Sequence, residues 1–310
     1  MSLDPTRIAV CVATFRRPTW LRGTLLSLNQ LDMEGIDADV VVVVVDNDAE
    51  GSSAEVVREL ETLVRWPIRY VVEPQPGIPQ ARNAALREAQ DRDLIVFIDD
   101  DEEATPEWLR ELVLFHRSTG ASVITGPVLP LFEEEPPPWI VRGRFFERPR
   151  HPSGTHVQHA GTGNLLLRRT LLSDIGDQPF EESMALTGGT DTLLTMKLRQ
   201  AGHAIVWCDE AIVREWNPPS RAKPRWLIQR AFRGGIVYAV SESIVHGSNR
   251  RRALRILKGI ARVVQGAGGI VLGGVTFRFD RIVAGARAVA MGAGMMLGIA
   301  GLRYREYRRA

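Results

Sequence analysis

Cysteine is nearly absent from this chain of 310 residues: Cys11 and Cys208 are the only two. They lie far apart in apolar contexts with no zinc-ligand spacing around them, so a disulfide scaffold and a zinc site are excluded. Two buried free thiols in a reducing compartment are expected. Glycine-rich nucleotide signatures are missing too. Neither G-x-G-x-x-G nor G-x-x-x-x-G-K-[ST] follows any strand-like run, which argues against a dinucleotide fold and a P-loop. The N-terminus does not read as a signal peptide, because Asp4 and Pro5 precede a short strand-like run. Acids are scarce at the other end. Residues 221–310 hold 3 Asp/Glu against 18 Lys/Arg, whereas residues 1–220 hold 34 against 21. The net charge of +2 conceals an acidic body and a basic tail, which points to a polyanionic partner, a membrane surface or nucleic acid. Aromatics are thin there, with Phe232 and Tyr238 between Trp226 and the end region, so stacking surface for nucleic acid is small and none is expected to bind.

What is present is a globular composition, 45% apolar and 25% charged, long enough for one large or two modest domains. Strand-like and helix-like runs alternate. Arg7–Ala13, Val40–Val45, Ile68–Val72 and Leu94–Ile98 read as buried strands, and helices are expected after Pro18, over 53–64, and after Pro76-Gly77. A fifth strand is expected over 121–128, a long loop over 133–154, and further strands over 165–167 and 204–208. This order predicts an α/β fold whose mostly parallel sheet has right-handed crossovers and flanking helices.

The chemistry concentrates where the fourth strand ends, in Asp99, Asp100 and Asp101. Ligands of open α/β sheets sit beyond the carboxyl ends of the strands. Three adjacent carboxylates there repel one another unless a cation is present, and hard oxygen donors suit Mg²⁺ or Mn²⁺, held with the phosphates of a substrate. The competing reading is the acidic start of a helix at Thr105-Pro106-Glu107.

Six segments then occur in one order: A-T-F-R-R-P after the first strand, V-D-N-D after the second, Q-A-R-N-A-A-L, F-I-D-D-D, G-T-G-N-L-L-L-R-R, and T-G-G-T-D before K-L-R-Q-A-G. Together they resemble the inverting glycosyltransferases of family 2, with the GT-A fold, over roughly residues 7–235. The P-P-S-R segment at Pro218–Arg221 and the following R-A-F-R-G-G are similar to a bacterial subgroup that builds exopolysaccharides and lipid-linked glycans. The resemblance implies transfer of a sugar from a nucleotide-diphospho-sugar donor to a hydroxyl of a glycan or lipid-linked acceptor. It implies that Thr14 and Asp46 recognise the base, that Arg82 approaches the diphosphate, and that Asp99 contacts the ribose and the metal site. Asp100 joins the nucleotide-sugar set, and Asp101 ligates the divalent cation, Mg²⁺ or Mn²⁺. Asp191 takes the place of the catalytic base. The chain departs from the family in having Thr190 where a Glu commonly precedes that Asp. For Asp46 and Asp191 the alternative is a plain helix cap, and for Arg82 a salt bridge to the aspartates.

Asn164, Thr190 and Trp139 are acceptor-side candidates; a turn-stabilising Asn and a packing tryptophan are the competing readings. His151, His156 and His159 read as solvated loop histidines. In the tail, basic residues 251, 255, 258 and 262 share one helical face and Leu254, Leu257, Ala261 and Val264 the opposite one, the pattern of an interfacial helix on anionic lipid. Residues 282–302 are just long enough to span a bilayer, and Gly294 and Gly298 form a close-packing pair. Basic residues flank both ends, so no crossing direction follows, and peripheral or re-entrant attachment at the cytoplasmic face is favoured over a span. Two regions are expected, a catalytic domain over 1–220 and a helical membrane-associating region over 221–310. A nucleotidyltransferase, faintly supported by Arg16-Arg17, and a non-catalytic polyanion binder remain as alternatives.

Overall fold

The structure, a computed structural model, describes residues 5–176, 178–185 and 188–302. Its sheet begins with β1 (Thr6–Thr14) and β2 (Ala38–Asp46), joined by α1 (Pro18–Asn29). Six consecutive valines in β2 put β-branched side chains on both faces, so the strand is stable only where both faces are covered. Both are. Ile8, Val10, Val12, Val40, Val42 and Val44 enter one hydrophobic core, and Ala9, Cys11, Val41, Val43 and Val45 enter a second on the other side.

The chain continues through α2 (Ala54–Leu60), β3 (Ile68–Val72), α3 (Ile78–Glu88), β4 (Leu94–Phe97), β5 (Glu102–Ala104) and α4 (Trp108–Thr119). Then come β6 (Val123–Thr125), β7 (Val128–Phe132), α5 (Pro138–Gly143), β8 (His156–Val157), β9 (Leu165–Arg168), α6 (Thr190–Gln200), β10 (Ile205–Trp207) and β11 (Val213–Asn217). Three long helices end it: α7 (Pro224–His246), α8 (Asn249–Val275) and α9 (Phe279–Ile299). The large sheet has the order β3-β2-β1-β4-β9-β6-β10-β8, and a small one has β5-β11-β7. In the large sheet β9 runs antiparallel to β4 and β6, and β8 antiparallel to β10, while the other described pairs are parallel. The chain winds from β1 outward to β3 and then returns to place β4 on the other side of β1. That reversal is the topological switch point of the sheet.

Several boundaries differ from the sequence reading. The strand expected over 121–128 is broken at Gly126-Pro127 into β6 and β7. Pro127 lacks an N–H for a ladder, and a Cβ at Gly126 would run into the carbonyls of Cys208 and Ala211. The stretch read as loop over 133–154 contains α5, which begins at the third of three prolines. The acids after Phe97 do not open a helix at once: Glu102–Ala104 is a strand, paired antiparallel with β11. Both cysteines are buried free thiols, and burial pushes the Cys208 thiol up to about 12.

The chain divides into two compact units, and the division is not a single cut. The first comprises Met1–Leu129, Arg148–Ala185 and Leu194–Glu215; the second comprises Pro130–Glu147, Leu186–Leu193 and Trp216–Ala310. In the second unit, Ile140, Phe145 and Phe146 form a core with Leu227 and Val283. There α9 packs along both α7 and α8 with glycines at the crossings: a Cβ at Gly294 would meet the Phe232 carbonyl, and one at Gly285 the Gly266 carbonyl. Arg303, Arg305, Arg308 and Arg309 lie outside the described residues.

Candidate active site

Thr14 and Asp46 are register partners at the carboxyl ends of β1 and β2, and Asp99–Asp101 follow β4 on the other side of β1. The acidic run therefore lies at the switch point, where open α/β sheets hold ligands. The Thr14 hydroxyl donates to Asp100 Oδ2 at 2.8 Å. Arg17, on the turn into α1, donates from one nitrogen to Asp100 at 3.2 Å and Asp101 at 3.4 Å. Arg82 comes from α3 to pair with Asp99 at 3.2 Å, and its guanidinium lies over the Phe180 ring. The salt bridge considered for Arg82 is thus present, and it is made to the most exposed of the three carboxylates: the Asp99 side chain is 44% exposed, against 8% for Asp100 and 10% for Asp101. Burial pushes the Asp100 carboxyl up to about 6, against the pull of Arg17 and the Thr14 hydroxyl and with the charges of Asp101 and Asp99 adding to the rise.

Asp46 is 0% exposed. Its carboxylate accepts from the Ser53 N–H at 2.7 Å, the Asp48 N–H at 3.1 Å and the Tyr70 hydroxyl at 2.9 Å. It holds the turn between β2 and α2, so the capping alternative describes these contacts, and any action on a nucleotide runs through that turn. The next two residues are tied as well. Asn47 donates to the carbonyls of Glu73 and Gln75 and accepts from the Gly77 N–H, which fixes the loop before α3. Asp48 pairs with Arg16.

Sequence reasoning missed Arg17 and Glu102. Glu102 is buried and accepts from the Asp99 N–H at 2.9 Å, so it braces the acidic turn from behind. Burial, then the charges of Asp99 and Glu215, push its carboxyl well above the usual range. A Cβ at Gly163 would run into that carboxylate, which explains the glycine of G-T-G-N. The signal available was the acid run itself, which continues through Glu102 into β5. Thr162 of the same motif has a buried hydroxyl without a hydrogen-bond partner among the described residues.

Asn164 is placed as scaffold. It accepts from Trp108 Nε1 at 2.9 Å and donates to the carbonyls of Ala211 and Pro127 at 2.7 and 3.1 Å. The turn-stabilising alternative fits these bonds, though Asn164 also lines a cavity of about 510 Å³ with Arg148, His151, His156, His159 and Trp207. The three histidines are thus grouped around one hollow instead of being scattered on a loop.

The remaining candidates belong to the second unit. Asp191 lies half-buried in the first turn of α6 and accepts from the Thr192 N–H at 2.7 Å. Two successive left-handed glycines, Gly188 and Gly189, lead into that turn, and Thr190 is buried; Thr187 of the motif lies outside the described residues. Trp139 packs on Phe145 and Phe279 at centroid distances of 5.5 and 5.4 Å, which is the packing role considered for it.

Comparison with known proteins gives the family of the chain. The family described as glycosyl transferase family 2 matches residues 9–176, more than half of the chain. The chain belongs to glycosyl transferase family 2. The succinoglycan biosynthesis protein ExoM of Rhizobium meliloti (strain 1021) is 35% identical over 235 residues, 76% of this chain and 75% of its own. The O-antigen chain rhamnosyltransferase RfbN of Salmonella typhimurium is 23% identical, over 72% of this chain and 71% of its own. Among solved structures, S. aureus TarS 1–349 aligns with a TM-score of 0.54 at 15% identity, covering 92% of this chain and 90% of that one. GalNAc-T7, solved with UDP, GalNAc and Mn²⁺, gives 0.56 at 11% identity, covering 77% and 48%. The fold of this family 2 enzyme is GT-A, a mixed sheet flanked by helices, with a helical C-terminal region.

Proposed function

We propose that this family 2 glycosyltransferase inverts configuration as it moves a sugar from a nucleotide-diphospho-sugar to a hydroxyl of a glycan acceptor, lipid-linked, in cell-surface polysaccharide synthesis. The observation carrying the reading is the acidic turn at the switch point, where Thr14, Arg17, Arg82 and the Asp99–Asp101 carboxylates converge. The names of ExoM and RfbN support the polymer class. Crystals of TarS with UDP and with UDP-GlcNAc, and of GalNAc-T7 with UDP and Mn²⁺, support a nucleotide-sugar donor on this fold.

The turn formed by Thr14, Asp46 and Asn47 takes the base, with Asp46 shaping it from below. Asp99 and Arg82 lie toward the ribose and diphosphate. A divalent cation, Mg²⁺ or Mn²⁺, fits the donor chemistry: among the described residues no three-residue metal cage is present, but Arg17 bridging two carboxylates marks a spot that demands positive charge. Asp99 and Asp101, with diphosphate oxygens, would hold the ion, since Mg²⁺ is bound by one or two carboxylates plus substrate phosphates. Such an ion supplies charge to the leaving diphosphate. Asp100, turned inward to Thr14, orients the turn. Asp191 takes the acceptor proton as the acceptor oxygen attacks the anomeric carbon, with Thr190 on the acceptor side. The protein sits peripherally on the cytoplasmic face of the membrane through its basic C-terminal helices.

The test is a screen of nucleotide-diphospho-sugars with purified full-length protein and Mn²⁺ or Mg²⁺, detecting released nucleoside diphosphate. Release from one donor, abolished by chelator, is expected. Equal release in chelator removes the metal, and release of pyrophosphate from a nucleoside triphosphate and sugar phosphate would instead favour the nucleotidyltransferase.

A further inference from the structure

The long helix α8 is turned inside out for a helix in water. Arg255, Gly259, Gly266 and Gly273 form its buried face, and the last three meet α9 nearly backbone to backbone: a Cβ on them would strike the Gly292 carbonyl, the Gly285 carbonyl and Ile282. Leu254, Leu257, Ala261, Val264, Gly268, Val271 and Val275 alternate at spacings of three and four, and every one is exposed. Leu257 is 62% exposed and Val264 66%. A helix at an aqueous surface turns such a row inward. This row runs on the side away from the packed glycines for about 31 Å, at 1.5 Å per residue. Exposed cations, Arg251, Lys258 and Arg262, flank its first half, and no charge follows until Arg278.

The row leads to a turn with a second anomaly. Phe277 has φ +50, a left-handed conformation that a bulky residue rarely adopts and that helix ends usually assign to glycine or asparagine. The turn is closed by bonds from the Thr276 N–H to Leu272, the Phe277 N–H to Gly274 and the Arg278 N–H to Gly273. For this unfavourable backbone the ring gains no packing: Phe277 is 95% exposed. Nothing among the described residues accounts in water for a phenylalanine there.

We infer that the α8–α9 hairpin is a membrane-insertion element, with the outer row of α8 lying in the interfacial region of an anionic bilayer and Phe277 anchoring the turn among the acyl chains. This deepens the peripheral attachment proposed above and rests on it. The charge pattern favours lipid over a second copy of the chain: the exposed Arg251, Lys258 and Arg262 border the apolar row, where phosphate headgroups would meet them, and after Phe277 come Arg278, paired with Asp280 at 2.8 Å, and the half-buried Arg281. An interface between copies would bring these cations against each other.

The experiment sediments full-length protein with vesicles of phosphatidylethanolamine and phosphatidylglycerol, and with vesicles of phosphatidylcholine alone. Wild type is expected to bind the anionic vesicles. Phe277→Asn is expected to lose about tenfold in affinity while its melting temperature stays level or rises, because Asn accepts the left-handed conformation. That combination separates a lipid anchor from a structural residue. Phe277→Trp should bind as wild type does, with fluorescence quenched by lipids brominated in their acyl chains. Wild-type binding with Phe277→Asn unaffected would overturn insertion and leave surface attachment standing. No vesicle binding by wild type would remove the peripheral reading itself, and the insertion with it. A dimer in light scattering that Leu257→Asp dissolves would show the face to be covered by a second copy, against the proposal. So would labelling of a cysteine placed at 277 by an impermeant reagent from the far side of sealed vesicles, which would indicate a crossing.

Discussion

At the scale of single residues, the acidic turn assigns three neighbouring aspartates three environments. Asp99 is outward and paired with Arg82, Asp100 is buried against Thr14, and Asp101 is covered beside Arg17. Asp101→Asn keeps the shape and removes one charged ligand. Turnover is expected to fall about 100-fold or more, with an unchanged melting temperature in chelator. Wild-type turnover would remove Asp101 from the metal site. Asp191 sits in the first turn of α6, entered through the left-handed Gly188 and Gly189, where a Cβ at Gly189 would run into Val237 of α7. Asp191→Asn is expected to lower transfer about 10²–10⁴-fold and leave nucleoside diphosphate binding intact, as read by calorimetry. Loss of nucleotide binding would place Asp191 on the donor side instead. These positions were partly legible: the acid run and the T-D pair stand out in one dimension, whereas the contacts that Glu102 and Arg17 make with the acidic turn became visible only once β5 and the α1 turn were folded against it.

At the scale of elements, α8 meets α7 at an ion pair whose arginine is buried. Arg255 donates two bonds to Glu242, at 2.7 and 2.8 Å, and its guanidinium covers the Tyr238 ring. The sequence reading put Arg255 on the basic face of an interfacial helix; the fold instead turns it inward against Glu242 and Tyr238 of α7. Burial opposes the charge on Glu242, but the Arg255 bonds, with Lys258 and Arg251 adding, hold its carboxyl below the usual range. A depressed carboxylate lends stability that is present above the unfolded pKa and is lost as pH falls through the folded one. The pair's contribution is therefore expected to fade on acidification below about pH 4. Glu242→Gln leaves a buried guanidinium without its anion and should cost about 3 kcal/mol at neutral pH, with the difference from wild type shrinking in acid. Urea unfolding at both pH values measures it, and a constant difference would show that the pair's charge is not what matters.

At the scale of the whole molecule, the charge asymmetry is the property with consequences. Most of the described cations after residue 220 fall on α7, α8 and α9, so basic and apolar side chains share the same helices. Attachment to native membranes should therefore resist moderate salt and yield to alkaline carbonate, as followed by fractionation of full-length protein. Release by salt alone would point to charge without insertion, and retention after carbonate would point to a span. Deleting residues 250–310 would not isolate attachment, because α9 packs on α7 and α5 and its loss would open that core.

The sequence by itself determined the alternation of strands and helices through β4, since short β-branched runs bounded by turn residues favour buried strands. The strand Ile68–Val72 and the start of α1 at Pro18 are where local chemistry placed them. It also determined the acidic cluster, the free thiols and the basic tail, all readable from residue type and spacing. Tertiary structure alone decided the rest. The reversal of β9 between β4 and β6 is a pairing between distant segments, and Leu165–Leu167 would be equally apolar in either direction. Asp46 became a buried turn-holder because Ser53 and Tyr70 come to it from other elements. Which face of α8 points outward was decided by the glycines of α9, since an apolar row and a glycine row can each serve as a packing face, and only the partner that closes on one of them leaves the other exposed.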